Sequence, residues 1–269
     1  MVASTSALGR VVEGPALLFD PSALEKRADR LREAYATAQP FPHVVLDDFL
    51  PAEAARRLVG EFPPVDAFAR DGPEGGNKIG KFDSTPRTPL GAFTRGLIAQ
   101  LSSSPFMDFL ERLSGISGLL ADPQGVDSAL RHFVRGGRLA VHADFNRQAR
   151  LGLERRLNLI LYLNERWPAE YGGALELWDR DMMGCVRSIS PLFNRAVVFS
   201  PTDEAYHGFP DPVRCPEGDS RKSLQLYYYA VARQGVELHY TIWRRRSLRS
   251  LVGRLHRRVR DQVASLFRS

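Results

Sequence analysis

The chain has 269 residues, 43% hydrophobic and 25% charged, enough to bury a sizeable core in the manner of an ordinary globular protein. No apolar stretch reaches the length of a membrane span, and the opening MVASTSALGRVVEG lacks the basic region and apolar block of a secretory leader. The net charge of +6 is concentrated in residues 244–269, which hold nine Arg and one acid, so the body is near −2 and gives no charge argument for binding nucleic acid.

Residues 1–19 show no periodicity and read as an arm. Asp20-Pro21-Ser22 is a helix start, a capping residue followed by proline in the first turn. Leu24, Ala28, Leu31 and Tyr35 follow at helical spacing, and Gln39-Pro40-Phe41-Pro42 ends that helix. Residues 43–50 read as a strand turning into a loop, and 51–62 as a short helix. Residues 63–90 are dominated by Gly, Pro and charge, the texture of a long loop. Phe68, Lys78, Lys81 and Phe82 are its candidates to face a substrate. Helix returns over 89–120 with a break near 102–105. From 129 the texture changes to short β-rich runs: 130–135, 138–144, 156–163, 174–178, 186–189, 196–200, 214–215 and 222–232. Eight such runs predict an antiparallel sandwich or barrel, and helices first with strands later predicts an α+β chain with a mainly β core. Residues 244–269 carry an apolar stripe among arginines, the pattern of a basic amphipathic helix. Two cysteines, Cys185 and Cys215, make neither a disulfide framework nor a four-ligand zinc site, and a cytoplasmic setting is expected.

The chemistry-bearing residues lie in the β-rich part. His142 and Asp144 in Val141-His-Ala-Asp are two apart, so a strand would project them to one face. A second histidine beside them would complete the two-His, one-carboxylate face that holds iron(II) with open positions. His207 is the candidate, because it follows the apolar run 196–199 and precedes Gly208 and Pro210 at a strand mouth. Arg221 opens the last β-run after a Pro- and Gly-rich return. Its planar fork suits a carboxylate. Lys222 would alternate to the opposite face.

These pieces, in this order, resemble the 2-oxoglutarate and iron(II)-dependent oxygenases, in particular their prolyl-hydroxylase-like branch. The resemblance rests on His142-x-Asp144, the run RLNLILYLN with Trp167 and Gly172-Gly173-Ala174-Leu175 after it, residues 194–199, His207-Gly208 and Arg221. It covers about 129–232, with 40–50 similar in texture. It implies a double-stranded β-helix, a jelly-roll barrel with helices packed on one sheet. The expected organisation is an arm (1–19), a single oxygenase domain (20–243, helical support over 20–125 and β core over 126–243) and the basic C-terminal helix (244–269). The resemblance implies that His142, Asp144 and His207 bind Fe(II). Arg221 and Tyr162 would hold the distal carboxylate of 2-oxoglutarate, with His132 and Gln225 as further candidates near it. Oxygen is the other cosubstrate, and hydroxylation of a prolyl, amino-acid or small-metabolite C–H with release of succinate and carbon dioxide is the implied reaction. Asn146, Arg147 and Trp178 are the expected substrate contacts. Relatives that demethylate nucleic acid carry a second arginine six residues after the first; here that position is Tyr227. A different class of reading keeps the barrel as a non-catalytic binding protein that engages a membrane surface or an acidic partner through its basic helix.

Overall fold

A computed structural model of the chain describes residues 18–71, 76–122, 129–148, 152–237 and 239–246. Among the described residues the α-helices are α1 (Pro21–Ala36), α2 (Ala52–Gly60), α3 (Ala92–Leu101) and α4 (Ser104–Ser114), with three short strands interleaved before α3. The strands are β1 (His43–Leu46), β2 (Ala69–Arg70), β3 (Lys78–Asp83), β4 (Leu120–Ala121), β5 (Ala129–Ala143), β6 (Arg147–Gln148) and β7 (Leu153–Tyr162). They continue with β8 (Leu175–Trp178), β9 (Cys185–Ile189), β10 (Ala196–Phe199), β11 (His207–Phe209), β12 (Ser220–Val231) and β13 (Ile242–Trp243). Asp20 caps α1 by accepting from the amides of Ser22 and Ala23, as its place before Pro21 predicts. No helix among the described residues is long and apolar enough to cross a membrane.

The strands form an antiparallel sheet in the order β1-β10-β7-β12-β5-β11-β8-β9. Its centre explains the near-continuous apolar run RLNLILYL, because β7 is buried on both faces. Alternate residues divide the work. Leu157, Leu159 and Leu161 of β7, with Leu224, Leu226 and Tyr228 of β12, pack against the helices. From that layer α1 contributes Leu24, Ala28 and Tyr35, and α4 contributes Phe106, Phe109, Leu110 and Leu113. The intervening residues Ile160 and Tyr162, with Val197 and Phe199 of β10, meet Leu175 and Leu177 of β8. The sheet therefore curls over so that β7 and β10 face β8 and β9, the jelly-roll arrangement expected from the sequence.

Strand β5 makes the curl possible. Its first half pairs with β12 and its second half with β11, so one continuous strand serves both walls. The expected break into 130–135 and 138–144 is a bend at Gly136-Gly137 within one strand. No strand forms at 214–215; there the amide of Arg214 bonds the carbonyl of Tyr171 in an irregular return.

The 63–90 stretch is not a structureless loop. Its β3 adds to the edge of β5, with β2 beyond it. The absence of apolar periodicity has a local cause, a bulge between Ile79 and Lys81. Gly80 sits there at φ +59, and a Cβ on it would lie 2.9 Å from the Cα of Gly137. A Cβ on Gly137 would lie 2.7 Å from the Val134 carbonyl oxygen. The two backbones meet because neither residue has a side chain. The bulge resets alternation, so Lys78 and Lys81, three apart, both reach Asp71. Phe68 and Phe82 turn to packing instead: Phe68 stacks on Phe62, and Phe82 lies against the helical core.

Of the arm, Leu18 and Phe19 are described. The Leu18 amide donates to Gln100, and Phe19 packs on Phe49 and Phe106. The basic amphipathic helix expected over 244–269 lies outside the described residues beyond 246. At its root, Arg244 donates to the Tyr206 hydroxyl and Arg246 pairs with Asp211.

Candidate metal centre

Antiparallel pairing of β5 and β11 sets His142 directly opposite His207, with ring centroids 4.5 Å apart. Asp144, just past the end of β5, brings one carboxylate oxygen to 3.4 Å from His142 Nε2 and the other to 3.5 Å from His207 Nε2. One ligand atom from each of the three residues lies within 4.8 Å of the others.

The tautomers are fixed by the backbone. His142 Nδ1 is 2.9 Å from the Ala140 carbonyl, and His207 Nδ1 is 2.9 Å from the Ala205 carbonyl. A carbonyl only accepts, so each Nδ1 carries the proton and each Nε2 presents a lone pair to the shared point. Burial, with His142 beside it, pushes His207 down to about 4, so the ring is neutral at pH 7. Burial works to raise Asp144, but Arg155 and the histidines hold it well below the usual carboxylate range. Two imidazoles that present Nε2 and one carboxylate are the donor set that suits a divalent iron with open positions.

Two residues that sequence reasoning missed hold the carboxylate. Asn158 Nδ2 donates to Asp144 Oδ2 at 2.8 Å, and Arg155 Nη2 lies 3.1 Å from the same oxygen. Arg155 Nε in turn donates to Asn158 Oδ1 at 2.6 Å. The Arg155 guanidinium lies over the Tyr227 ring at 3.5 Å and near Phe145 at 4.7 Å. The signal was present: Arg and Asn stand inside a run otherwise apolar enough to be buried on both faces.

Deeper between the sheets lies Arg221, 1% exposed. Its Nε donates to the Gly173 carbonyl at 2.7 Å and its Nη2 to the Tyr162 hydroxyl at 3.2 Å. Gly173 has φ +72, and a Cβ there would lie 2.9 Å from Arg221 Cδ. Arg221 also lies over Phe209, two residues beyond the ligand His207 on β11. Tyr162 packs beside Phe199, whose ring is 4.8 Å from that of His207. Burial raises Tyr162 despite Arg221, so its hydroxyl keeps a proton to donate. Among the described residues no carboxylate pairs with Arg221, and burial lowers its pKa. Beside it on the same face of β12, opposite Tyr162, the Ser223 hydroxyl is buried with no hydrogen-bond partner. A buried unpaired guanidinium, a phenol and an orphaned hydroxyl are the complement of a small carboxylate. They fit one end of 2-oxoglutarate.

The other expected site residues fall elsewhere. His132 pairs with Lys222 across β5 and β12, on the face away from Arg221. Its Nδ1 is 2.6 Å from Ser220 Oγ, its Nε2 is 3.1 Å from the Pro63 carbonyl, and Phe62 and Phe68 meet its ring edge-on. It is a structural histidine between β5 and the 63–68 turn, not a cosubstrate contact. Gln225 shares the inner face but accepts from Arg131 and from the Tyr227 hydroxyl. Trp178 is fully buried with Val141, Ala143 and Tyr206, so it is core and not a substrate contact. Asn146 is likewise occupied: its side chain donates to the Glu237 carbonyl and accepts from the His239 amide, tying down the chain that leads to β13. Arg147 pairs through its backbone with Glu154, and its side chain lies outside the described residues. Sequence reasoning also missed Trp243. Strand β13 lays it across His142, ring centroids 5.0 Å apart.

Comparison with known proteins agrees with this geometry. The chain is 30% identical over 137 residues to mouse (Mus musculus) Prolyl 3-hydroxylase OGFOD1, a match covering 49% of this chain and 23% of that one. The chain thus spans about a quarter of that curated relative's length. A prolyl hydroxylase of Trichoplax adhaerens, solved with a hypoxia inducible factor peptide fragment, superposes with a TM-score of 0.55 at 18% identity, covering 77% of this chain and 91% of that one. A Pseudomonas putida prolyl-4-hydroxylase superposes with a TM-score of 0.53 at 19% identity, covering 76% and 98%. Both share the fold. Residues 128–229, which carry the triad, Tyr162 and Arg221, match the family model described as the 2OG-Fe(II) oxygenase superfamily.

Proposed function

We propose that the chain is an Fe(II)- and 2-oxoglutarate-dependent hydroxylase acting on an unactivated C–H of a prolyl, amino-acid or small-metabolite substrate. The observation that carries this reading is the pairing of two features in one interior. A triad with both histidine tautomers fixed stands beside a buried arginine that has no carboxylate partner among the described residues. A zinc hydrolase would give the second feature no role.

Iron(II), 2-oxoglutarate and oxygen together supply the oxidising power, with succinate and carbon dioxide released and one oxygen atom transferred to the C–H. The protein supplies placement. His142, Asp144 and His207 would hold the metal, leaving three positions free. Asn158 and Arg155 keep the Asp144 carboxylate aimed and ionised. Arg221, Tyr162 and the free Ser223 hydroxyl would take the distal carboxylate, which orients the other end toward the metal. Packing of β7 and β10 on β8 keeps bulk water from Arg221 and Tyr162.

The prolyl part of the reading draws on the names of the similar proteins, which act on prolyl residues as named. Fold alone does not fix substrate. Anaerobic titration of the protein with Fe(II) and then 2-oxoglutarate tests the reaction class: a weak visible charge-transfer band should appear, and oxygen should then yield succinate. Failure to form the band would overturn the reading. Mass spectrometry for +16 products in peptide and metabolite pools identifies the substrate.

A further inference from the structure

The substrate side of the site has a charge pattern of its own. A cavity of about 230 Å³ opens beside His142 and Asp144. One wall is a chain of ions. Lys78 and Lys81 both donate to Asp71. Lys81 donates also to Asp83 at 2.7 Å, and Asp83 takes two bonds from Arg131, at 2.5 and 2.9 Å. Lys81 and Arg131 are 6% and 7% exposed. The remaining charged residues around the cavity, Asp144 and Arg155, are engaged with each other at the metal centre. The wall thus sets three cations, Lys81 and Arg131 buried and Lys78 about a third exposed, against two carboxylates. A surplus buried charge is costly unless a counter-charge arrives. The Lys81 ammonium has three donors and spends two on Asp71 and Asp83.

On the basis of the oxygenase reading, we propose that this wall receives a carboxylate of the substrate, so that the molecule hydroxylated here carries a carboxylate close to the C–H presented at the His142–Asp144 face. The cavity holds roughly eight water volumes, about the size of one amino-acid residue. Its apolar side is Phe145 and Trp243, the latter tilted against the His142 ring, and a hydrocarbon portion rests there. Lys78, Phe145 and Trp243 also line a shallower groove of about 500 Å³, through which a longer molecule continues outward. The carboxylate belongs either to a free amino or imino acid or to an acidic residue beside the target in a peptide. The recognising chemistry is the same.

The test uses the full chain loaded with Mn(II) and 2-oxoglutarate, with binding read from quenching of Trp243 fluorescence against a Trp243→Phe control. Matched pairs are titrated: free L-amino and imino acids against their amides, and Asp-Pro or Glu-Pro peptides against Asn-Pro or Gln-Pro. The acid member of at least one set should bind ten-fold or more tighter, and the set that responds identifies the source. Arg131→Gln and Lys81→Met should erase the preference while 2-oxoglutarate uptake stays within two-fold. Because those variants disturb buried pairs, Asp71→Asn provides a second reading of opposite sign: removing a competing carboxylate should strengthen acid binding at least three-fold. Equal binding of acids and amides, binding of neither, or no response to Asp71→Asn would overturn the proposal. Failure to take up Mn(II) and 2-oxoglutarate would instead overturn the oxygenase reading on which it rests.

Discussion

The two faces of the β7–β12 pair are built from alternate residues of the same two strands and have opposite characters. The outer face, Leu157, Leu159, Leu161, Leu224, Leu226 and Tyr228, is apolar apart from one phenol and packs on helices. The inner face holds Asn158, Tyr162, Arg221, Ser223, Gln225 and Tyr227, all buried and nearly all polar. One face contributes stability through close packing; the other gives some of it up to hold charges and donors ready for a ligand. Moving one residue along either strand crosses from one role to the other.

That division predicts separable losses. The largest effect belongs to the metal face: His207→Ala or Asp144→Ala should abolish Fe(II)-dependent succinate formation while circular dichroism stays native. Next comes Arg221→Met. Removing one partner of a buried charged pair costs about 2–5 kcal/mol in binding, so 2-oxoglutarate affinity by calorimetry should fall at least about 30-fold. The same variant should be no less stable than the parent without 2-oxoglutarate, because it removes a buried cation that has no carboxylate partner. An equal loss of stability would mean that Arg221 serves packing.

A smaller loss should follow Asn158→Ala or Arg155→Lys, which leave the three ligands in place but release Asp144. Metal affinity should drop about 10- to 100-fold, with 2-oxoglutarate affinity unchanged once iron is saturating. On the outer face the pattern should invert. Leu159→Ala should cost about 2–5 kcal/mol in urea unfolding and leave both affinities near normal.

The smallest effect concerns pH. Burial pushes His132 down to about 4, from an unfolded value near 6.5. The folded state thus favours the neutral ring. Its contribution to stability is complete above pH 6.5 and is lost as the pH falls from 6.5 toward 4. Melting temperatures between pH 7.5 and 4.5 should decline over that window, and His132→Gln should flatten the decline. A change in 2-oxoglutarate affinity in that variant would return His132 to the cosubstrate site.

The legible parts of this molecule were those with a period or a partner at fixed offset. The β-rich runs 156–163 and 222–232 marked two long strands, and the two-residue step from His142 to Asp144 put both near one point. Arg221 and Tyr162 entered through resemblance, and the structure brings their side chains together. Trp178 misled because a tryptophan near a site-bearing strand looks the same in sequence whether it lines a pocket or fills a core. His132 misled for a related reason: one step of alternation separates it from Phe133, which faces Arg221. The Arg131–Asp83 pair joins residues 48 apart, and no local pattern announces such a contact. Trp243 follows a segment without periodicity and gains its place through pairing with β5.

The bulge at Gly80 bears on how spacing is counted. Lys78 and Lys81 are an odd number of residues apart, and in a regular strand odd spacing means opposite sides. The left-handed backbone at Gly80 breaks that alternation, so both ammonium groups meet one carboxylate. Parity is thus a local property of the backbone, set here by two absent methyl groups, at Gly80 and Gly137. An alanine at either would change no charge in the chain, yet it would sort the two lysines onto different sides and divide the ion chain at its middle.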